Sequence, residues 1–262
     1  MSKRTGSVYI AVAALLLFGS SALAQEKSAS NAEADANNPL ANFTAFNLQN
    51  YYVPQLSELD DQNANTFWLR YAQPLGPWLL RASLPMSRVP TGPSTTTSGL
   101  GDVSAFLAYL IDTGNPAKSF GIGPQVAFPT ASEDETGTGK YQLGAAAVYF
   151  DGSSKRVQWG GLLTWQTDVA GDDARSDTSL LAIQPFYFFQ LGKGLYLRGA
   201  PIAVFNLETD DYHVPFGLGV GKVFPSGNTV YNIFVEPQFT LLDRGPGQPE
   251  LQVLVGVNMQ FK

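Results

Sequence analysis

The sequence predicts an all-β fold: a transmembrane, antiparallel, up-and-down β-barrel of about twelve strands, within a range of ten to fourteen, following a cleaved signal peptide. Three observations predict it. Apolar and polar residues alternate with period two over stretches of about eleven residues, the length of a tilted membrane strand and roughly twice that of a soluble one. Only 15% of the 262 residues are charged while 12% are aromatic, against a charged share of about 25% in ordinary soluble domains. Yet the mean hydropathy is -0.04, too polar for a bundle of membrane helices. Strands with one greasy and one polar face reconcile these facts.

The first element is an export signal. Lys3 and Arg4 precede an apolar run at 8–18, and Ala22-Leu23-Ala24 forms a small-x-small cleavage site before Gln25. The run is too short to span a bilayer. Residues 1–24 are therefore read as a signal peptide, 25–41 as a flexible periplasmic lead-in rich in Ala, Asn and Glu, and 42–262 as the barrel.

Strands are expected near 43–53, 64–73, 77–86, 102–111, 119–128, 140–150, 156–169, 179–191, 195–205, 214–223, 229–241 and 250–262. The last is the cleanest. Leu251, Val253, Val255, Val257, Met259 and Phe261 fall on one face, and Gln252, Gly256, Asn258 and Gln260 on the other. Parity is blurred by Gly, Ala and Pro in 119–128, 140–150 and 195–205. The connections alternate: long ones at 54–63, 87–101, 129–139, 170–178, 206–213 and 242–249, short turns between them. Long external loops over short periplasmic turns are the barrel pattern. The long loops are acidic, with Glu133, Asp134, Glu135, Asp172, Asp173, Asp210 and Asp211 prominent, whereas the turns are slightly basic. Tyr and Trp near strand ends, among them Tyr51, Tyr52, Trp68, Tyr71, Trp78, Tyr109, Tyr149, Trp159, Trp165, Tyr187, Tyr196 and Tyr231, are read as interfacial girdles. A secreted β-sandwich would not need them. Phe261, at the end of the final amphipathic strand, is read as an assembly signal for the barrel-assembly machinery.

Composition also excludes chemistry. With no Cys and one His, disulfide scaffolds, thiolate metal sites, Cys nucleophiles and poly-His metal sites are ruled out. A net charge of -6 argues against nucleic-acid binding. No nucleotide or cofactor motif is present.

Several stretches resemble one proteobacterial outer-membrane family, catalogued as a component of the meta pathway of phenol degradation and often mislabelled neuromedin U. They include Asn38-Pro39-Leu40-Ala41-Asn42-Phe43, Asn65-Thr66-Phe67-Trp68-Leu69-Arg70-Tyr71, Ser98-Gly99-Leu100-Gly101-Asp102, Gln184-Pro185-Phe186-Tyr187-Phe188, Val214-Pro215-Phe216-Gly217-Leu218-Gly219 and Glu236-Pro237-Gln238-Phe239. The resemblance covers roughly 38–261. It implies a barrel that transports small molecules, aromatic ones among them, and supplies no catalytic residues.

A twelve-strand barrel is narrower than the open sixteen-strand porins. By parity Arg70, Arg81, Asp102, Asp168 and Glu236 point inward, as a selectivity constriction or as a neutralised polar plug. Gly217, Gly219 and Gly221 share the inward parity of one strand and are read chiefly as relieving crowding. His213 is the one candidate general base, at an external strand end beside acidic residues, but no G-x-S-x-G elbow accompanies it. No metal loop is present, although the acidic pairs suit bridging of lipopolysaccharide through divalent ions. The expectation is an outer-membrane barrel of a Gram-negative bacterium acting as a narrow passive channel for small solutes. A plugged structural barrel and a hydrolase centred on His213 are the alternatives.

Overall fold

The structure is a computed structural model that describes residues 36–59 and 61–261. Residues 1–24, read as a signal peptide, and residues 25–35 lie outside the described residues. Fifteen strands form one antiparallel sheet: β1 (Thr44–Leu56), β2 (Ala64–Leu75), β3 (Trp78–Gly92), β4 (Thr95–Leu100), β5 (Val103–Ile111), β6 (Lys118–Phe128), β7 (Lys140–Asp151), β8 (Val157–Gly171), β9 (Ser179–Gly192), β10 (Leu195–Gly199), β11 (Ala203–Asn206), β12 (Tyr212–Gly217), β13 (Gly219–Ser226), β14 (Thr229–Arg244) and β15 (Pro249–Phe261). β4 and β5 run end to end along β3, β10 and β11 along β9, and β12 and β13 along β14. Fifteen strands thus make twelve staves. β15 pairs with both β14 and β1 and so closes the barrel; the ribbon strand β4 pairs with β3 alone.

At the near end, where Thr44 and Phe261 pair, tight turns join the staves. Gly76, Lys193, Gly194 and Gly227 take positive φ there, as two-residue hairpins require. At the far end the strands run further than their sequence suggests. The connection at 87–101 is mostly a ribbon, with Arg88 paired to Ser98 and Val89 to Thr97. β-branched residues on both sides carry the ladder past Pro90, where a loop was expected.

The outward face is apolar, with Leu143, Leu163, Ile183, Val220, Ile233 and Val255 exposed. Aromatics cluster at two levels. Near the termini Phe46 packs on Tyr71 and Phe261, Trp78 on Tyr109, Tyr149 on Trp159, and Phe224 on Tyr231. Towards the far end lie Tyr52, Trp165, Phe239, and Phe128 with Tyr141. Three residues read as girdle members face inward instead. Tyr51 packs with Phe234, Leu254 and Trp68, and Tyr196 is completely buried. Their aromatic character is compatible with either face, and Tyr196 lies in 195–205, one of the three stretches whose parity is blurred.

Residues 36–41, part of the stretch read as a lead-in, enter the barrel from the near end. Ala36 and Leu40 are buried against Leu79, Val148, Phe150, Phe186, Phe188, Tyr196 and Val230. Amide side chains hold the segment. Asn232 donates to the Ala36 carbonyl at 3.4 Å and to Asn37 Oδ1 at 3.0 Å, Asn37 donates to Gln158 at 3.4 Å, and Asn38 donates to Ser119 at 3.0 Å. A polar composition that resembles a linker in isolation here matches an inner wall studded with amides.

One place in the wall lacks its ladder. Gly199 pairs with Tyr187 and Ala203 with Ile183, while Arg198 pairs with Gly219 and Val204 with His213. The register is continuous on both sides, yet residues 200–202 pair with neither neighbour. The same register puts Pro201 opposite Pro185 and Ile202 opposite Pro215, so ladder donors are missing on three adjacent staves. Side chains take their place. The Ala200 amide donates to Glu236 Oε1 at 2.8 Å, Gln184 donates to the Ala200 carbonyl at 3.0 Å, and the Tyr187 hydroxyl donates to the Gly217 carbonyl. Each substitution avoids an unsatisfied backbone group, which costs about 1–3 kcal/mol. On the outside Tyr187 stacks on Phe216, with ring centroids 6.5 Å apart, and lies against Gly199.

Candidate functional site

The lumen carries the polar chemistry, and its walls come from period-two alternation. Of the residues expected there, Glu236 on β14 is the most deeply placed, with no exposed surface. Its carboxylate accepts from Arg198 Nε at 2.7 Å, from the Ala200 amide at 2.8 Å and from Gln238 Nε2 at 2.7 Å. The Arg198 guanidinium lies 3.6 Å above the Phe234 ring. Gly217 makes room for this group, since a Cβ there would meet Glu236 and Gln238. Gly221 likewise lies beneath Tyr196. The crowding-relief reading of these glycines agrees with that geometry. Amide chains extend the pattern around the wall: Gln252 donates to Gln238 at 2.6 Å, Gln166 donates to Gln142 at 2.5 Å, and Gln125 donates to Gln166.

Arg70 and Arg81 stand apart from that pair. Arg70 on β2 pairs with Ser83 and Arg81 on β3 with Ala72, so the arginines are diagonal neighbours on the inner face. Arg70 donates to Gln49 and lies 4.6 Å over the Trp68 ring. Arg81 lies 5.9 Å from the Phe106 ring. Among the described residues, the ion pairs are Lys118–Asp151, Lys140–Asp177, Arg175–Asp134 and Arg198–Glu236. Neither Arg70 nor Arg81 is in one. Both border a cavity of about 150 Å³, and Arg81 also borders a second of about 130 Å³ whose floor is the inserted N-terminal segment.

Asp102 and Asp168 lie at the far end and are not gathered with the arginines. The Asp102 carboxylate accepts from the amides of Thr130 and Ala131 at 3.1 Å each, the Thr138 amide at 2.7 Å and the Thr138 hydroxyl at 2.8 Å. It folds the loop at 129–139 back over the rim. Asp168 accepts from the Thr178 amide at 2.6 Å and its own amide donates to the Thr178 carbonyl, which fastens the base of the next loop.

The acidic loop residues are distributed around that rim. Glu133 precedes a short 3-10 turn at Asp134–Thr136. Arg175 reaches it from the neighbouring loop, donating to the carbonyls of Asp134 and Gly137 at 2.5 Å each. Asp172 caps the Ala174 amide, and Asp211 accepts from Thr209. Glu135, Asp173 and Asp210 are solvent-exposed. Among the described residues no three acidic or His side chains converge as metal ligands. Phe261 sits in the near aromatic belt against Phe46.

His213 is buried and its Nε2 lies 2.9 Å from the Thr240 hydroxyl, which itself donates to the Pro249 carbonyl. With that proton committed to Pro249, the Thr240 hydroxyl accepts from the imidazole and does not present it a proton to remove. This differs from a nucleophile–base pair. Sequence reasoning missed Arg198, Gln184 and the amides that hold the N-terminal segment. Leu195 and Leu197 alternating with Tyr196 and Arg198 were the available signal.

No protein-family model and no curated protein sequence matches the chain. Solved structures do resemble it. An outer membrane channel from Pseudomonas putida F1 is 13% identical, over 85% of this chain and 97% of that one, with a TM-score of 0.60. The NanC porin is 10% identical, over 83% of this chain and 99% of that one, with a TM-score of 0.53. The chain has the barrel fold of outer-membrane channels. At these identities the likeness concerns architecture. The roles of individual residues rest on the contacts described above.

Proposed function

We propose that the protein is an outer-membrane barrel of a Gram-negative bacterium that acts as a narrow passive channel for small solutes, apolar and aromatic ones included. The observation that carries this reading is the arrangement of the lumen. Two adjoining cavities share Arg81, Phe106, Leu162 and Gln184 in their linings. Below them the passage is filled by residues 36–41, which hydrogen-bond to the wall mainly through amide side chains. Each such bond contributes only about 0.5–1.5 kcal/mol net, and together with the burial of Ala36 and Leu40 they hold the segment as a stopper in the passage. The resemblance to the phenol meta-pathway family and the channel fold of the structural neighbours support the same reading. Planar-bilayer recording and liposome-swelling assays test it. The mature chain is expected to conduct weakly and admit small solutes, and a barrel lacking 25–41 is expected to conduct several-fold more. Absence of conductance and flux from both, with the barrel correctly folded, would refute the channel.

The unladdered wall favours a second reading for the apolar solutes. The stretch at 200–202 borders the inner cavities through Ala200 and Ile202, and on the outside the stacked rings of Tyr187 and Phe216 cover it. An apolar molecule that enters the lumen then has a sideways path towards the bilayer, through a segment held by side chains where a backbone ladder would otherwise stand.

A further inference from the structure

We propose that Arg70 and Arg81 form a binding site in the lumen for a small monocarboxylate with a flat, apolar body. The inference rests on the channel reading, because the site lies on the solute path, and it names the class of solute that path retains.

The charge balance of the lumen leads to it. Glu236 is satisfied by Arg198, Ala200 and Gln238, and Asp102 and Asp168 are engaged by loop amides at the far end. Arg70 and Arg81 have no carboxylate in an ion pair among the described residues. Arg70 has Gln49 and Tyr51 as neutral hydrogen-bond partners, and no side-chain hydrogen bond from Arg81 is present among the described residues. Guanidinium groups carry five donors each in a planar fork, which matches the two oxygens of a carboxylate. Their diagonal placement across β2 and β3 puts two such forks on one cavity wall, where a single carboxylate can bridge them.

The rest of the cavity selects the body of the ligand. Phe106, Leu162 and Ile202 supply apolar surface, and Ser104, Gln125 and Thr164 supply neutral polar groups. No acidic side chain borders this cavity, so nothing there repels an anion or attracts a cation. A volume of about 150 Å³ suits a ring-sized molecule. Trp68 lies beneath the Arg70 guanidinium and holds it flat, so less side-chain entropy is lost when a ligand binds.

The test uses the folded mature barrel in detergent micelles, with benzoate as probe and benzyl alcohol, benzylamine and acetate as comparisons, followed by isothermal titration calorimetry and by tryptophan fluorescence. Benzoate is expected to bind at least about tenfold more tightly than each comparison compound, through the charge-assisted contact that benzyl alcohol and benzylamine lack and through burial of the ring that acetate lacks. Arg70→Gln and Arg81→Gln are each expected to weaken benzoate at least about tenfold. The turn variant Arg156→Gln is expected to bind as the parent does. Heat-modifiable migration on gels confirms that every variant is folded. Equal binding of benzoate and benzyl alcohol, equal binding of benzoate and acetate, or unchanged benzoate affinity in both lumen variants would overturn the proposal. Binding is read without transport, so a barrel that binds benzoate but passes no solute refutes the channel alone. A barrel that conducts but binds no benzoate refutes the site alone.

Discussion

At the scale of the residue, the Arg198–Glu236 pair shows how this barrel tolerates a buried charge. Taking both ions out of water is costly, and their mutual attraction offsets that cost only when every remaining group is paired. Here Glu236 also accepts from Ala200 and Gln238, and Arg198 lies on Phe234. Removing one partner strands the other. Arg198→Ala is therefore expected to destabilise the barrel by about 3–5 kcal/mol, read as a lower urea midpoint in micelles. The double change Arg198→Met with Glu236→Gln is expected to recover most of the loss, because no lone charge remains. If the single change costs no more than a surface substitution, the pair is not a structural unit. Glu236 was legible in the sequence because it alternates cleanly with Val235 and Pro237. Its partner was not, since Gly199, Ala200 and Pro201 erase the period-two pattern just beyond Arg198. Parity also cannot tell how far along the axis a side chain sits. Asp102 and Asp168 consequently read as luminal, although they bind loop amides at the rim.

At the scale of the element, twelve staves were legible because each stave repeats the same alternation and turn chemistry. Two features were not. The N-terminal segment has no apolar period of its own, and its Ala and Asn residues acquire meaning only against Asn232, Gln158 and Leu79. The unladdered stretch at 200–202 depends on where Pro185, Pro201 and Pro215 fall relative to one another, and that requires the register. Its cover is the Tyr187 ring, tied by its hydroxyl to the Gly217 carbonyl and stacked on Phe216. Tyr187→Phe keeps the ring and deletes the tie. The expected result is faster hydrogen exchange of the amides near 200–202 and 217–219, and faster delivery of an apolar solute into liposome lipid, with ion conductance unchanged. Exchange and delivery indistinguishable from the parent would mean that the seam is closed by packing alone and offers no side path.

At the scale of the whole molecule, two charge systems of opposite sign act in series on any ion that passes. Asp172, Asp173, Asp210 and Asp211 are spread around the rim at the far end, whereas the unpaired Arg70 and Arg81 line the lumen below. They respond differently to salt. The Debye length is about 10 Å at 0.1 M and about 3 Å at 1 M. Exposed rim charges therefore lose most of their reach over that range, while charges facing a cavity of low dielectric are screened less. At low salt the rim gathers cations and offsets the arginines; at high salt the arginines dominate. The reversal potential across a fixed KCl ratio should accordingly move towards anion preference as the mean concentration rises from 0.1 M to 1 M. Replacing Asp172, Asp173, Asp210 and Asp211 by Asn should give the high-salt preference already at low salt. Arg70→Gln with Arg81→Gln should abolish anion preference at every concentration, leaving a cation preference that fades towards neutrality as the salt rises. A selectivity that is independent of salt in the parent, or that moves towards cations, would mean that the rim does not feed the lumen, and that the asymmetry of charge serves the outer surface instead of the pore.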